Sequence, residues 1–453
     1  MSTPAKAMPS RIGDIVGAEN VTDDPARLAA YEVDGVRPSA AVRPGTANEV
    51  AELVKLAVGE KLAVIPMGAR TKLGIGMPPA RYDLAIDMTR LDRVISYDPG
   101  DLTLSVEAGI PLAKLAATLA EHKQFLPLAV PFYERATIGG TLGSGVDSPL
   151  RQMYGTARDF VLGMEIVIGD GALAKSGGRV VKNVSGYDLH KLMLGSIGSL
   201  GVMTRVNFKT FPLAAESRGW LAGFARAEDA FAFAHAIRKS PLACQTLDIC
   251  DRQTAALFRR GALLNKSDWS VVVSAAGNEN VIDRCERDLQ AMARGANASA
   301  FSALDTAAAS ELRAAIRDFP TLIAQHSSNA LMLKITALPT QMAEIATRLQ
   351  GIAANNALPC AVLARGVGVI YFALLSTERE AATLTRVAEC VKQIFSAANK
   401  DKQAATIPWC LLELKREMSV WGPPREDFPL MQRVKQAFDP LGIFSPGRFV
   451  GGL

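Results

Sequence analysis

The chain has 453 residues, 49% hydrophobic and 21% charged, which is the balance of an ordinary folded protein and excludes a disordered or fibrous chain. At roughly 100 to 200 residues per domain this length implies two or three packed units. Lysine and arginine number 50 against 45 acidic residues, and no block of like charges occurs, which also excludes an extended nucleic-acid footprint.

The N-terminal MSTPAKAMPSRIGD lacks the apolar core of a secretory signal, and no run of about eighteen apolar residues follows it, so a cytoplasmic protein is expected. Thr46 and Glu49 have capping-box spacing. Val50, Leu53, Val54, Ala57 and Val58 follow at helical period, which predicts a helix from near Ala47 to near Gly59. A short buried strand over Leu62 to Pro66 leads into MGARTKLGIG, with the next strand over Leu84 to Met88. Asp98-Pro99-Gly100-Asp101 is a turn between two strands, Val94 to Tyr97 and Leu102 to Val106. Pro111 opens a helix with Leu112, Leu115, Ala116 and Leu119 on one face, which stops near His122. Strands return over Phe160 to Ile168 and Arg205 to Phe211. Beyond Pro212 the chain becomes alanine-rich, with helices predicted over 225–239, 280–294, 340–354 and 379–398 and strands over 269–275 and 369–375. This alternation is read as two similar halves on one sheet. The six cysteines, at 244, 250, 285, 360, 390 and 410, form no CxxC pair, so buried thiols are expected rather than disulfides or iron–sulfur ligands.

Three glycine-rich segments carry the chemistry: MGARTKLGIG at 67–76, ATIGGTLGSG at 136–145 and SGYDLHKLMLGSIGSLGV at 185–202. Any one of them could be a turn. Together they call for a common cause, because glycine lets backbone N–H groups close around an anion such as a pyrophosphate. None is a G-x-G-x-x-G or a G-x-x-x-x-G-K-[ST] fingerprint, which argues against a resident nicotinamide or ATP.

The order VIPMGARTKLGIG, ATIGGTLGSG, MYGTARDFVLGMEIVIGDG and GRVVKNVSGYDLHKLMLGSIGSLGVMTRVNFKTFP resembles the FAD-binding domain of the vanillyl-alcohol oxidase and p-cresol methylhydroxylase (PCMH) superfamily, over roughly residues 35–213. The tail LMQRVKQAFDPLGIFSPGRF is similar to the segment that, in the hydroxyacid dehydrogenase branch, returns from the cap to the flavin domain. Within that branch the likeness is to FAD-binding subunits of glycolate oxidase complexes. The resemblance implies an α+β fold with a two-lobed PCMH-type FAD-binding domain over 1–214, an α+β cap with a mixed sheet over 215–405, and a C-terminal segment, 406–453, packing back on the FAD domain.

Carried over by position, it implies that Pro66, Gly68, Ala69, Arg70, Thr71 and Lys72 wrap the FAD pyrophosphate. Many relatives have glycine where Ala69 and Arg70 stand. Pro131, Thr137, Ile138, Gly139, Gly140 and Gly143 would line the other side, with Tyr154, Gly155 and Arg158 further along. Gly186, Tyr187, Asp188, Gly201 and Val202 would approach by backbone contact. Relatives that link FAD covalently use a histidine or cysteine. The first glycine segment holds neither and the first cysteine is Cys244, so a noncovalent cofactor is expected. His122 and His190 read as structural or surface residues.

Relatives that oxidise 2-hydroxy acids hold a divalent metal with histidines on a cap strand and before the tail. The corresponding segments here, LARGVGVIYFAL at 363–374 and ELKREMSVWGPP at 413–424, contain no histidine, and His235 and His326 lie outside both. No metal site is therefore expected. Arg365, Glu413, Lys415 and Arg416 occupy the vacated positions, with Arg365 and Lys415 as candidates for an anionic substrate and Tyr371 read as core. The resemblance implies partners: a catalytic flavin subunit and an iron–sulfur subunit, with peripheral membrane contact through the complex as a further option. The expected role is a flavin relay or assembly subunit. The alternatives are a stand-alone FAD dehydrogenase of another small anion, or a scaffold without FAD.

Overall fold

The computed structural model describes residues 8–179, 186–258, 267–378 and 380–453. Strands β1 (Val21–Thr22), β2 (Ala40–Val42), β3 (Val64–Met67) and β4 (Leu84–Asp87) form a sheet in the order β1-β2-β4-β3. Its β2, β3 and β4 run parallel, so they need a crossover, and the helix Ala47–Glu60 supplies it. The helix starts where the sequence predicts. Thr46 Oγ1 accepts the Glu49 N–H at 3.1 Å, and the Glu49 carboxylate accepts the Gly45 N–H at 2.7 Å. Its stripe of Val50, Leu53, Val54 and Ala57 is buried.

The second lobe contains β5 (Val94–Asp98), β6 (Thr103–Glu107), β7 (Gln124–Phe125), β8 (Val161–Val167), β9 (Leu173–Gly177), β10 (Val202–Lys209) and β11 (Phe211–Pro212). An antiparallel sheet runs β5-β6-β10-β8-β9, with β7 and β11 paired apart from it. The predicted hairpin is β5–β6, in which Asp98 Oδ1 accepts the Gly100 N–H at 3.0 Å.

The second half of the chain builds one sheet from β12 (Glu216–Phe224), β13 (Cys244–Asp251), β14 (Trp269–Gly277), β15 (Ala300–Leu304), β16 (Leu331–Thr336), β17 (Cys360–Arg365), β18 (Val369–Leu374) and β19 (Ala404–Trp409). The order is β15-β12-β14-β13-β17-β18-β16-β19, so two four-strand halves meet at β13 and β17. Each neighbouring pair is antiparallel, not mixed as expected. The helix Ala227–Lys239 does connect β12 to β13, but β14 lies between them, so strands joined by a crossover do not pair.

Period-two alternation sorts this sheet's side chains. Ile370, Phe372 and Leu374 join the core under the helices Ala227–Lys239, Glu279–Gly295, Met342–Asn355 and Ala381–Lys400. Each large aliphatic group buried there stabilises the fold by about 1.5 to 3 kcal/mol. Val369, Tyr371 and Ala373 face the opposite side, with Met332 and Leu363.

The tail returns to the first lobe as the sequence implies. The helix Phe428–Phe438 ends where the Gly169 N–H donates to the Phe438 carbonyl, and Phe444 then pairs beside Val64. Among the described residues no helix is long and apolar enough to cross a membrane.

Candidate functional site: a glycine-lined cradle and an adjoining cationic chamber

The turn after β3, the helix Ile138–Ser144 and the turn before β10 converge on one cleft. Pro66 to Leu73, Thr137, Gly139, Gly140, Gly143, Ser144 and Ile197 to Gly198, with Gly201 to Met203, line it. Their approach is close enough to exclude side chains. A Cβ on Gly68 would lie 2.0 Å from Thr137 Oγ1, and one on Gly198, at φ +69°, would lie 2.7 Å from Pro66 Cγ. Thr137 holds the middle segment by capping its helix, accepting the Gly140 N–H at 3.3 Å. The Ile197 N–H donates to the Gly143 carbonyl at 2.8 Å and ties the third segment to the second.

The chemistry of the cleft fits a diphosphate. Backbone N–H groups of Gly68 to Leu73 donate no hydrogen bond among the described residues, leaving a row of donors free. Lys72 lines the same cleft with only a 3.2 Å bond to Thr71 Oγ1, and burial pushes its ammonium down to about 8. An anion there would favour its charged form. Arg70 stands at φ +60°, a conformation that favours glycine, and its side chain explains why an arginine is tolerated. It pairs with the buried Asp87 at 2.5 Å and stacks over Tyr31, 4.6 Å from the ring centre, so it braces the turn from behind.

The C-terminal tail closes the cleft. Arg448 is almost wholly buried, lines it, and donates to the carbonyls of Leu73, Ile75 and Met77. Nothing in the sequence marked Arg448 out from the chain's other arginines, because its partners are carbonyls more than 370 residues away.

Ile75 and Ser144 are shared with a second cavity of about 190 Å³ between the lobes and the cap sheet. Its cap wall follows strand register. Leu363, Tyr371, Lys334 and Thr406 are direct neighbours across β17, β18, β16 and β19, and all four line the cavity. Arg365 lies two residues from Leu363 on the same face. It is buried, ion-paired with Asp248, and stacked 5.4 Å from the Tyr371 ring centre, while its Nε has no partner. Burial pushes the Asp248 carboxyl up to about 6, with Arg365 pulling the other way. Burial lowers the Lys334 ammonium, and Asp147 across the cavity opposes the shift. Asp147 is itself paired with Arg151 at 2.9 Å. The chamber is thus lined by three basic side chains, Lys334, Arg365 and the already paired Arg317, with the Asp147 carboxylate and the Tyr371 phenol, a set that can grip a small carboxylate.

The same donors do not suit a metal. The cap wall offers Lys334 and Arg365, which are not metal ligands, and the Asp147 carboxylate that also lines the chamber is paired with Arg151. Among the described residues no group of three His, Cys, Asp or Glu could hold one.

Pro66, Gly68 to Lys72, Thr137, Gly139, Gly140, Gly143, Gly201 and Val202 therefore come together in the cleft, and Ile138 is buried immediately behind it. Pro131 borders the chamber instead. The structure does not bring the remaining expected residues to either cavity. Tyr154 packs edge-on against Phe125 and Phe211 while its hydroxyl accepts from Gln245, and Gly155 and Arg158 follow on the surface side. Gly186, Tyr187 and Asp188 lie exposed beside β9, with Tyr187 88% exposed, so only the far end of the third glycine segment reaches the cleft. Arg365 lies in the chamber, but Lys415 lines neither cavity. It is buried between Asp34, at 2.8 Å, and the Gly74 carbonyl, at 2.6 Å, as a tie between the cap and the cradle loop. Ser144, Ile197, Gly198, Lys334 and Asp147 were missed, since only strand register and loop closure reveal them.

A glycine-lined anion cradle opening onto a chamber under a separate cap sheet defines a flavoprotein of the PCMH type. The chain matches the FAD binding domain over residues 38–177 and the C-terminal domain of FAD linked oxidases over 214–400 and 420–449. It belongs to the FAD-linked oxidases, binds FAD, and is an oxidoreductase by family. It is 23% identical to the glycolate oxidase subunit GlcD of Bacillus subtilis, over 98% of this chain and 96% of that one. It is 39% identical to the glycolate oxidase subunit GlcE of Escherichia coli, over 36% and 46%, and 30% identical to a D-lactate dehydrogenase of Anaerostipes hadrus, over 53% and 50%. The fold is shared with p-cresol methylhydroxylase, at TM-score 0.80 and 16% identity over 97% of this chain and 95% of that one. It is also shared with 4-ethylphenol oxidase from Gulosibacter chungangensis, at TM-score 0.77 and 17% identity over 97% and 96%.

Proposed function

We propose that this chain oxidises a small 2-hydroxy acid, of the glycolate and D-lactate class, on noncovalently held FAD. The observation that carries the reading is the chamber beside the cradle, where Arg365 and Lys334 face one small volume. Arg365 holds the substrate carboxylate through its guanidinium, which the Asp248 pair keeps in place. Lys334, biased toward its neutral form by burial, takes the hydroxyl proton at Nζ. The apolar wall of Met332, Leu363 and Trp421 keeps water from the reacting carbon. FAD supplies the two-electron acceptor when bound.

The relatives named as glycolate oxidase subunits support a role inside a multi-subunit assembly, and the electron partners we propose for it are another flavin subunit and an iron–sulfur subunit. The absence of histidine from 363–374 and 413–424 favours a second reading, in which the chain relays electrons or assembles the complex without turning over substrate.

Anaerobic mixing of the purified holoenzyme with glycolate, D-lactate and other 2-hydroxy acids separates the two. Substrate turnover predicts prompt bleaching of the flavin bands, with KM raised at least about tenfold in Arg365→Gln and kcat lowered in Lys334→Met. An FAD-loaded protein that none of these acids bleaches, yet that copurifies with an iron–sulfur protein, would establish the relay reading instead.

A further inference from the structure

A cavity of about 440 Å³, larger than the chamber and separate from the cradle, lies between the helix Leu112–Ala120 and the helix Thr306–Arg317. Its two walls differ in chemistry. On the FAD-lobe side Leu112, Leu115 and Leu119, at helical spacing, present a continuous aliphatic surface that Leu126 and Leu128 extend. On the cap side Ser310, Arg313 and Arg317 line the cavity from one stripe of the facing helix, and Ile316, on the adjoining buried stripe with Ala309 and Leu312, reaches it too.

The charges on the cap side are not equivalent. Arg317 is already paired with Asp318 at 2.6 Å and lies over the Tyr133 ring, 5.6 Å from its centre. Asp248, which also borders the cavity, is committed to Arg365. Arg313 makes no ion pair or hydrogen bond among the described residues, and burial lowers its pKa with no carboxylate to oppose the shift. A half-exposed guanidinium without a protein partner beside a leucine wall suits a ligand that supplies both an anion and an apolar body.

We infer that this cavity binds an amphipathic organic anion, an aliphatic chain carrying a carboxylate, with the chain on the Leu112–Leu115–Leu119 wall and the carboxylate on Arg313. Such a ligand sits one wall away from the chamber, because Ile316 and Arg317 line both cavities. The site is independent of which hydroxy acid the chamber takes, and its test needs no turnover.

The probe is decanoate, titrated calorimetrically into the holoenzyme. Saturable binding at one site per chain is expected, with acetate and 1-decanol each at least about tenfold weaker. Arg313→Gln should weaken decanoate at least about tenfold and Arg313→Lys much less. Ala116→Phe, a half-exposed position lining the cavity, should abolish binding by filling it. Flavin absorbance of each variant reports that it is folded. No saturable binding by the wild-type protein, or binding that survives undiminished in either Arg313→Gln or Ala116→Phe, overturns the assignment.

Discussion

Lys72 shows how a single side chain can be shaped by a ligand it has not yet met. Burial holds it near 8 for want of an anion. The FAD diphosphate favours the charged form and raises that value, so binding takes up a proton whenever the pH exceeds about 8. The affinity of the apoprotein for FAD should therefore be flat below pH 8 and fall above it, by up to about tenfold per pH unit until the bound-state pKa is passed. Lys72→Met should weaken FAD binding by about tenfold and flatten the profile. Fluorescence titration of the apoprotein across pH 6 to 10 measures both, and an unchanged slope in the variant would remove Lys72 from the cradle. Gly68 makes a purely steric contribution. Gly68→Ala drives a methyl against Thr137 and should cost flavin retention, whereas Gly59→Ala, with open space around it in an exposed helical turn, should leave flavin content unchanged. Flavin-to-protein ratios after gel filtration distinguish the two.

At the scale of elements, the tail is a clamp on the cradle loop. Three carbonyls of residues 73–77 depend on Arg448, whose own carbonyl accepts from Trp421 Nε1 at 3.0 Å and from the Met77 N–H at 3.0 Å. A buried carbonyl that loses its donor costs about 1 to 3 kcal/mol. Arg448→Gln should thus lower the melting temperature and speed FAD release at least about tenfold, even though Arg448 is more than 370 residues from the loop it holds. A dissociation rate unchanged from wild type would show that the loop closes without its tail. Much of this level was legible beforehand. The helix at 47–60 and the β5–β6 hairpin follow from a capping pair with apolar period and an Asp-Pro-Gly-Asp turn, which act within a few residues, while the returning tail was implied by the family resemblance. The cap sheet was read as mixed because the strand–helix–strand order shows which strands are joined, not which strand inserts between them.

For the whole molecule, cradle and chamber share Ile75 and Ser144, and Lys415 ties the cap's exit to the cradle loop through Asp34 and Gly74. Occupancy of the cradle should therefore be felt beyond the first lobe. Saturating FAD, at about 100 times its Kd, adds about 2.7 kcal/mol to the folded state. Differential scanning fluorimetry of apoprotein with added FAD should show a single transition moving upward. Two transitions, of which only one moves, would mean that the cap is uncoupled from the flavin lobe.

The sequence by itself determined that glycine-rich turns able to close on an anion exist, where in the chain they lie, and that no histidine stands in 363–374 or 413–424, because glycine spacing and residue identity are properties of the chain alone. Which turns meet was decided only by tertiary structure. Gly186 to Asp188 sit in a segment of the expected type yet face outward, while Arg448, Lys334 and Asp147 carry no local mark and reach the site through loop closure and strand register. The physical reason is distance along the chain: Tyr371 beside Lys334 and Arg448 beside Leu73 become neighbours only once whole sheets have packed, and their chemistry arises from that burial.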